Sequence, residues 1–219
     1  MIDPSTLHFL IDLSLNNHKT WFEDNRKAYE AARADFTEFI QDVIDTFGKT
    51  DPAIRNIRAK DCLFRINRDV RFSKNKNPYK NNFGASINAG GRKSMDQAGY
   101  YFHLEPDNSF TGGGLYDPSS EKLLQIRQKI QSDHSNFKKI LDTPPFRTVY
   151  GDLSRDDHYT LKRVPKGFEQ QDPAAEYLKL KSYIGMIRVE DDTLVSKDLK
   201  TKTVDAFKAL QPVVDFING

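Results

Sequence analysis

The residues best suited to chemistry lie between Cys62 and Asn82, in the run CLFRINRDVRFSKNKNPYKNN. Arginine forks grip phosphate or carboxylate through paired hydrogen bonds, and lysines add point charge. From Val70 through Met95 the chain carries Arg71, Lys74, Lys76, Lys80, Arg92 and Lys93, and no Asp or Glu. The whole chain has a formal net charge of +2, so this bias is local. It is the composition of an anion-holding segment.

Cys62 to Asp69 is expected to be a strand. At period two, Cys62, Phe64 and Ile66 face one way and Arg65, Asn67 and Asp69 the other, joined by Arg71 if the strand continues. Arg68 falls on the apolar side, where it either ends the strand or sits buried with Asp69 as its partner. The expected roles follow. Arg65, Arg71, Lys76 and Lys80 supply charge, with Arg68 a lesser contributor. Asp69 orients an arginine, and Tyr79, after Pro78, packs on the ligand. Lys166, in LKRVPKGF at Leu161 to Phe168, belongs to a second basic turn that joins the site if the fold brings it near.

Other motifs are weaker. Gly112-Gly113-Gly114 before Asp117-Pro118 admits a ligand close to the backbone, but glycines in a strand also mark bulges, and the structural reading is preferred. Gly90-Gly91-Arg92-Lys93-Ser94 fails as a phosphate loop because Arg92 separates Gly91 from Lys93 and Ser86 stands where the leading glycine belongs. No G-x-G-x-x-G or G-x-S-x-G occurs. The five histidines form no ligand pair, and His103-Leu104-Glu105 lacks the cysteines of a zinc deaminase. His103 reads as structural, and Asp156-Asp157 and Asp191-Asp192 as solvated turns. Neither a metal nor a cofactor is expected. Cys62, the one cysteine, reads as a core residue.

These residues need a scaffold, and the chain has the material for one. Of 219 residues, 37% are hydrophobic and 29% charged, as in an ordinary soluble protein. The N-terminus lacks the basic region and cleavage site of a secretory signal, and no apolar run approaches the roughly 20 residues that span a bilayer. The expected location is cytoplasmic, with no membrane partner. Asp3-Pro4 starts a first helix. Thr20 to Glu23 fits a capping box for a second, long helix striped by Phe22, Tyr29, Phe36 and Val43 and ending at Gly48. Phe83 to Asn88, Gly99 to Glu105 and Ser109 to Leu115 read as strands, the last two as a hairpin. Asp117-Pro118 opens another helix, which is broken or followed by a second. Pro144-Pro145 breaks the pattern, and a subdomain seam is placed near 142–150. Tyr159 to Val164 and Ser182 to Glu190 are expected strands, with a short helix between them from Asp172. Asp198 to Ile217 is a final helix kinked at Pro212. The fold class is α+β: a mostly antiparallel sheet with helices packed on it, and long N-terminal and C-terminal helices.

Four segments, NNHKTWFEDNRKAYE at Asn16 to Glu30, FRINRDVRFSKNKNPYK at Phe64 to Lys80, GGGLY at Gly112 to Tyr116 and PKGF at Pro165 to Phe168, resemble a widespread bacterial and fungal family, the domain of unknown function numbered 2461. The resemblance covers nearly the whole chain and implies one domain over residues 1–219. It brings no activity, cofactor or catalytic residue. It does group Asn25 and Arg26 with the basic site, against an Arg26–Glu30 surface pair.

Three functions stand. One is a domain binding an anionic, phosphate-bearing ligand, either a small molecule or nucleic acid. The second is an enzyme acting on a phosphorylated or carboxylated small molecule, with Asp69 or His103 moving a proton. The third is a structural protein in which the arginine motif is an internal ion-pair network. Oligomeric state is left open.

Overall fold

The computed structural model describes residues 1–91, 94 and 96–219; Arg92, Lys93 and Met95, counted in the acid-free run, lie outside the described residues. Helix α1, Pro4–Leu15, starts where expected. Asp3 is extended and accepts a hydrogen bond from the Ser5 N–H at 2.8 Å, and Pro4 opens the first turn. The long second helix is two helices, α2 (Lys19–Asp24) and α3 (Arg26–Phe47). The cap is His18, not Thr20: His18 is extended and its Nδ1 accepts the Trp21 N–H at 3.3 Å. Asn25 breaks the run at φ −104°, ψ 18°, and its amide donates to the Trp21 carbonyl at 2.9 Å. The stripe on α3 is buried as its periodicity requires, through Phe36, Phe39, Ile40, Val43 and Phe47.

The expected strand from Cys62 to Asp69 is absent. Cys62 closes a helical turn, α4 (Ala59–Cys62), and only isolated bridges follow, Leu63 to Ala85 and Asn67 to Tyr79. Phe64, assigned to the core, is 37% exposed. Backbone bonding explains this. Phe64 N–H donates to Gly84, after which Arg68 N–H goes to Pro78 and Lys80 N–H to Ile66. The chain touches the sheet once and then closes on its own return.

The sheet comprises β1 (Phe83–Ile87), β2 (Gly99–Leu104), β3 (Phe110–Leu115) and β4 (Tyr183–Arg188), antiparallel in that order. The hairpin and the strand after Ser182 form as expected. Tyr159 to Val164 is not a strand; only Thr160 bridges to Leu180. Between β3 and β4 lie α5 (Ser120–Ser132), α6 (His134–Leu141), α7 (Pro144–Tyr150) and α8 (Ala175–Leu178). Ser119, not Asp117, caps α5, accepting the Lys122 N–H at 3.2 Å. Pro144-Pro145 begins a helix instead of only ending one, because the first turn needs no N–H from either ring. After β4 come α9 (Asp191–Leu194) and α10 (Leu199–Asn218), which runs on through Pro212. Among the described residues no helix is long and apolar enough to cross a membrane.

One sheet face carries Phe83, Ala85, Ile87, Tyr100, Phe102 and Leu104, all buried. Phe36 and Phe39 of α3 lie against Phe102, while Tyr100 sits between Phe47 and Phe207 with ring centroids 4.9 and 4.8 Å away. The Tyr100 hydroxyl donates to the buried Asp51 at 2.8 Å. The helices therefore cover one face of the sheet, and the alternate residues point to the other.

Candidate functional site

On that other face the register sets Ser86, Tyr101, Gly112 and Met186 in one row, and Gly84, His103, Phe110 and Arg188 in the next. A cleft of about 540 Å³ lies over these rows, floored by Gly112 to Gly114 and walled by Tyr101, His103, Tyr116, Tyr159, Phe64 and Lys80. The bare floor is imposed by the sheet. Gly114 has φ +113°, and a Cβ there would lie 2.0 Å from the Tyr183 carbonyl oxygen. The structural account of the three glycines therefore suffices, and the open floor is its by-product.

Three side chains of β2 and the residue following it form a chain of hydrogen bonds. Tyr101 Oη lies 3.1 Å from His103 Nδ1, and His103 Nε2 lies 3.1 Å from Glu105 Oε2. Asn81 and Asn108 donate to the two Glu105 oxygens at 2.7 and 2.8 Å. Glu105 thus acts as acceptor for its neighbours. That assigns the Nε2 proton to His103 and leaves Nδ1 to accept from the Tyr101 hydroxyl. His103 also stacks on Phe110 at 4.6 Å. The missing side chain at Gly84 makes the room: a Cβ there would be 2.5 Å from Tyr101 Oη.

Burial holds the His103 pKa below its ordinary 6.5; Glu105 opposes the shift and the Lys80 charge adds to it. Burial, with smaller contributions from Tyr116 and Glu105, pushes the Tyr101 hydroxyl up to about 12. A histidine with a depressed folded pKa stabilises the fold above pH 6.5, and that contribution is lost as pH falls below 6.5 towards the folded value. Between about pH 7 and about pH 5.5 the urea midpoint should therefore fall more steeply for the wild type than for His103→Gln. Parallel curves would mean that the ring is not held neutral.

Asn88 completes the cleft. It is 5% exposed, and among the described residues its Oδ1 has no hydrogen-bond partner. A buried acceptor left unpaired costs about 1–3 kcal/mol, and a donor brought in by a ligand would recover it.

With this geometry in view, a comparison with protein families returns one described as "Conserved hypothetical protein (DUF2461)", matching residues 5–216. The chain belongs to the DUF2461 family. No curated protein and no solved structure matches it.

The motifs of this DUF2461 chain part company in the fold. Arg65 is exposed and, after Arg71, helps to lower the pKa of Asp69. Asp69 pairs with Arg71 at 2.6 Å, so Arg68 does not have it as a partner. The Arg68 guanidinium instead donates to the Asn77 carbonyl and the Ser73 hydroxyl, 3.4 and 3.5 Å away. Lys76 Nζ donates to the Val70 carbonyl. These bonds tie the loop to itself. Tyr79 is buried and stacks on Phe22 at 3.9 Å, while Asn17 holds its backbone N–H and carbonyl, so that face of its ring is closed to a ligand. Lys166 is exposed and lines neither this cleft nor the open groove along α3, where Tyr79 and Arg26 meet Glu23, Glu30 and Glu38. Arg26 pairs with Glu23 at 2.7 Å, not with Glu30. Arg65, Arg68 and Arg71 line neither cavity. Of the expected ligand-binding residues Lys80 reaches the cleft, with Nζ 5.4 Å from the Phe64 ring centre, and there it joins His103, named in advance as a possible proton mover, and the three glycines. Cys62 is a core residue, its thiol pushed up to about 11 by burial.

Reasoning from sequence missed Tyr101, Gly84 and Asn88. The signal for the first was present: Tyr101, His103 and Glu105 lie two apart in GYYFHLE, on one face of a strand.

Proposed function

We propose that this is a cytoplasmic protein, folded as one domain over residues 1–219, that binds a small anionic, phosphate-bearing ligand in the cleft on the open face of its sheet. The observation that carries the reading is that a lysine, Lys80, and a buried acceptor without a partner among the described residues, Asn88 Oδ1, line the same cleft. The phosphate lies towards Lys80, and a hydroxyl or amine of the ligand donates to Asn88. Tyr101, Tyr116 and Phe64 supply apolar surface for the rest of the molecule. The single-domain part is supported by a buried cluster that draws on Ile2 and Ile217 and on elements between them.

Titration with inorganic phosphate at low salt, followed by amide chemical shifts, tests the reading. Saturable shifts are expected at Lys80, Asn88 and Tyr101, with affinity about 10-fold weaker or more in Lys80→Met, the effect of losing one charge-assisted hydrogen bond. Absence of saturable shifts, or an unchanged affinity in Lys80→Met, would sink it.

A second reading places single-stranded nucleic acid on the basic loop. It is favoured by Phe72, 97% exposed beside the Arg71 guanidinium, a ring placed for base stacking. It requires binding that falls steeply with salt and is lost in Phe72→Ala.

A further inference from the structure

We propose that Tyr101, His103 and Glu105 form a proton relay that makes the cleft a site of hydrolysis for small phosphate monoesters. The proposal rests on the reading that the cleft holds a phosphate-bearing ligand. Three features of the geometry support it. The three groups form an unbroken line of hydrogen bonds, Tyr101 Oη to His103 Nδ1 and His103 Nε2 to Glu105 Oε2, both 3.1 Å. Tyr101 and His103 line the cleft together with Lys80, which puts the end of the relay beside the expected phosphate. Glu105 is fixed in turn by Asn81 and Asn108, so it holds the ring in the tautomer that leaves Nδ1 free to take a proton.

In the proposed step, a water between the phosphate and Tyr101 gives a proton to Oη as Tyr101 passes its own proton to His103 Nδ1. His103 becomes an imidazolium, its Nε2–H still donated to Glu105. The water oxygen bonds to phosphorus. The ester P–O bond breaks, and its electron pair leaves with the alcohol oxygen, which takes a proton from solvent. The imidazolium then returns its proton to solvent. The sum is monoester plus water giving alcohol plus inorganic phosphate. Lys80 faces the charge on the phosphoryl oxygens. Tyr101 is the catalytic residue because it touches the reacting water. His103 accepts the proton through it, and Glu105 is a positioning residue.

The groups that face His103 set the pH profile. Among the described residues they are Tyr101 from its own strand, Glu105 just after that strand and Lys80 from the segment before β1; the flanking Gly84 of β1 and Phe110 of β3 carry no charge. The rate should fall as pH drops and the imidazole becomes protonated before the reaction.

The test uses the full chain with 4-nitrophenyl phosphate, reading nitrophenolate release from wild type, Tyr101→Phe, His103→Gln, Glu105→Gln and Gly84→Ala. Inorganic phosphate binding and urea stability are measured alongside for each. The expected result is turnover by the wild type and a loss of about 100-fold or more in kcat for Tyr101→Phe and His103→Gln, the usual worth of general acid–base catalysis. His103→Gln should also abolish the acid limb of the pH profile. Glu105→Gln should shift that limb to lower pH. Gly84→Ala should lower kcat by moving the Tyr101 hydroxyl while the protein stays folded and still binds phosphate. A wild type that binds phosphate but gives no turnover above background overturns the relay and leaves the binding site standing. So does an equal rate in His103→Gln, or a pH profile that His103→Gln does not change. A wild type that fails to bind phosphate overturns both.

Discussion

Gly114→Ala should destabilise the protein by about 3 kcal/mol or more, read as a lowered urea midpoint with an unchanged slope. Two costs combine. The backbone at Gly114 has φ +113°, a region that side-chain-bearing residues rarely occupy, and the added Cβ would sit 2.0 Å from the Tyr183 carbonyl oxygen and 3.0 Å from the Ile184 Cα. Both obstacles are backbone of β4, which cannot rotate aside as a side chain would. Relief means parting β3 from β4, and with it the pairing of Leu115 with Tyr183 and of Phe110 with Arg188. Gly151→Ala is the control. Gly151 also has positive φ, +69°, but a Cβ there meets nothing within 4 Å. It should lose only the backbone penalty of its sparsely populated conformation, about 1–3 kcal/mol. Equal losses in the two variants would show that contact with β4 contributes nothing.

Tyr100→Phe should cost about 2–3 kcal/mol, although it removes a single oxygen. Tyr100 is 1% exposed and its hydroxyl donates to Asp51, itself 4% exposed. Burial and the nearby Asp51 keep that hydroxyl protonated far above its ordinary pKa, so it is a permanent donor. Without it, one oxygen of a buried carboxyl loses its hydrogen bond, while the other still accepts from the Ala53 N–H. Asp51→Ala should be at least as damaging, since it orphans both the tyrosine hydroxyl and that N–H. The double variant should cost less than the sum, because the two single changes break the same bond. Additive losses would mean that the bond is not formed in solution.

Most of the fold could be read from local pattern. Asp3-Pro4, the apolar stripe on α3 and the turn between β2 and β3 each carry their signal within a few residues, and each appears where the pattern puts it. The failures depend on distant partners. His18 rather than Thr20 caps α2 because the backbone at His18 is extended, which composition does not reveal. Leu63 to Asp69 alternates well enough for a strand, but its N–H groups are satisfied by Gly84 once and then by the returning chain at Pro78. The site divides in the same way. The arginines stood out by charge, and charge does not tell whether Asp69 will be taken by Arg71 or Arg68. His103 stood in plain view, but composition did not name its partners. Its meaning lies in alternation with Tyr101 and Glu105 and in the emptiness at Gly84 across the ladder, a pairing that only register supplies.

The two backbone bonds that join Ile66 and Arg68 to Pro78 and Lys80 close the basic loop at its neck. The Lys80 backbone is therefore anchored from the stem side, next to β1, by its N–H to the Ile66 carbonyl. A change of length or composition at the tip should leave these two backbone bonds in place. The tip is accordingly the part of this segment where the fold should best tolerate insertions and deletions. In engineering terms the loop is a replaceable cassette. A tag, reporter or new recognition sequence grafted between Asp69 and Asn77 should leave the proposed phosphate binding in the cleft unchanged.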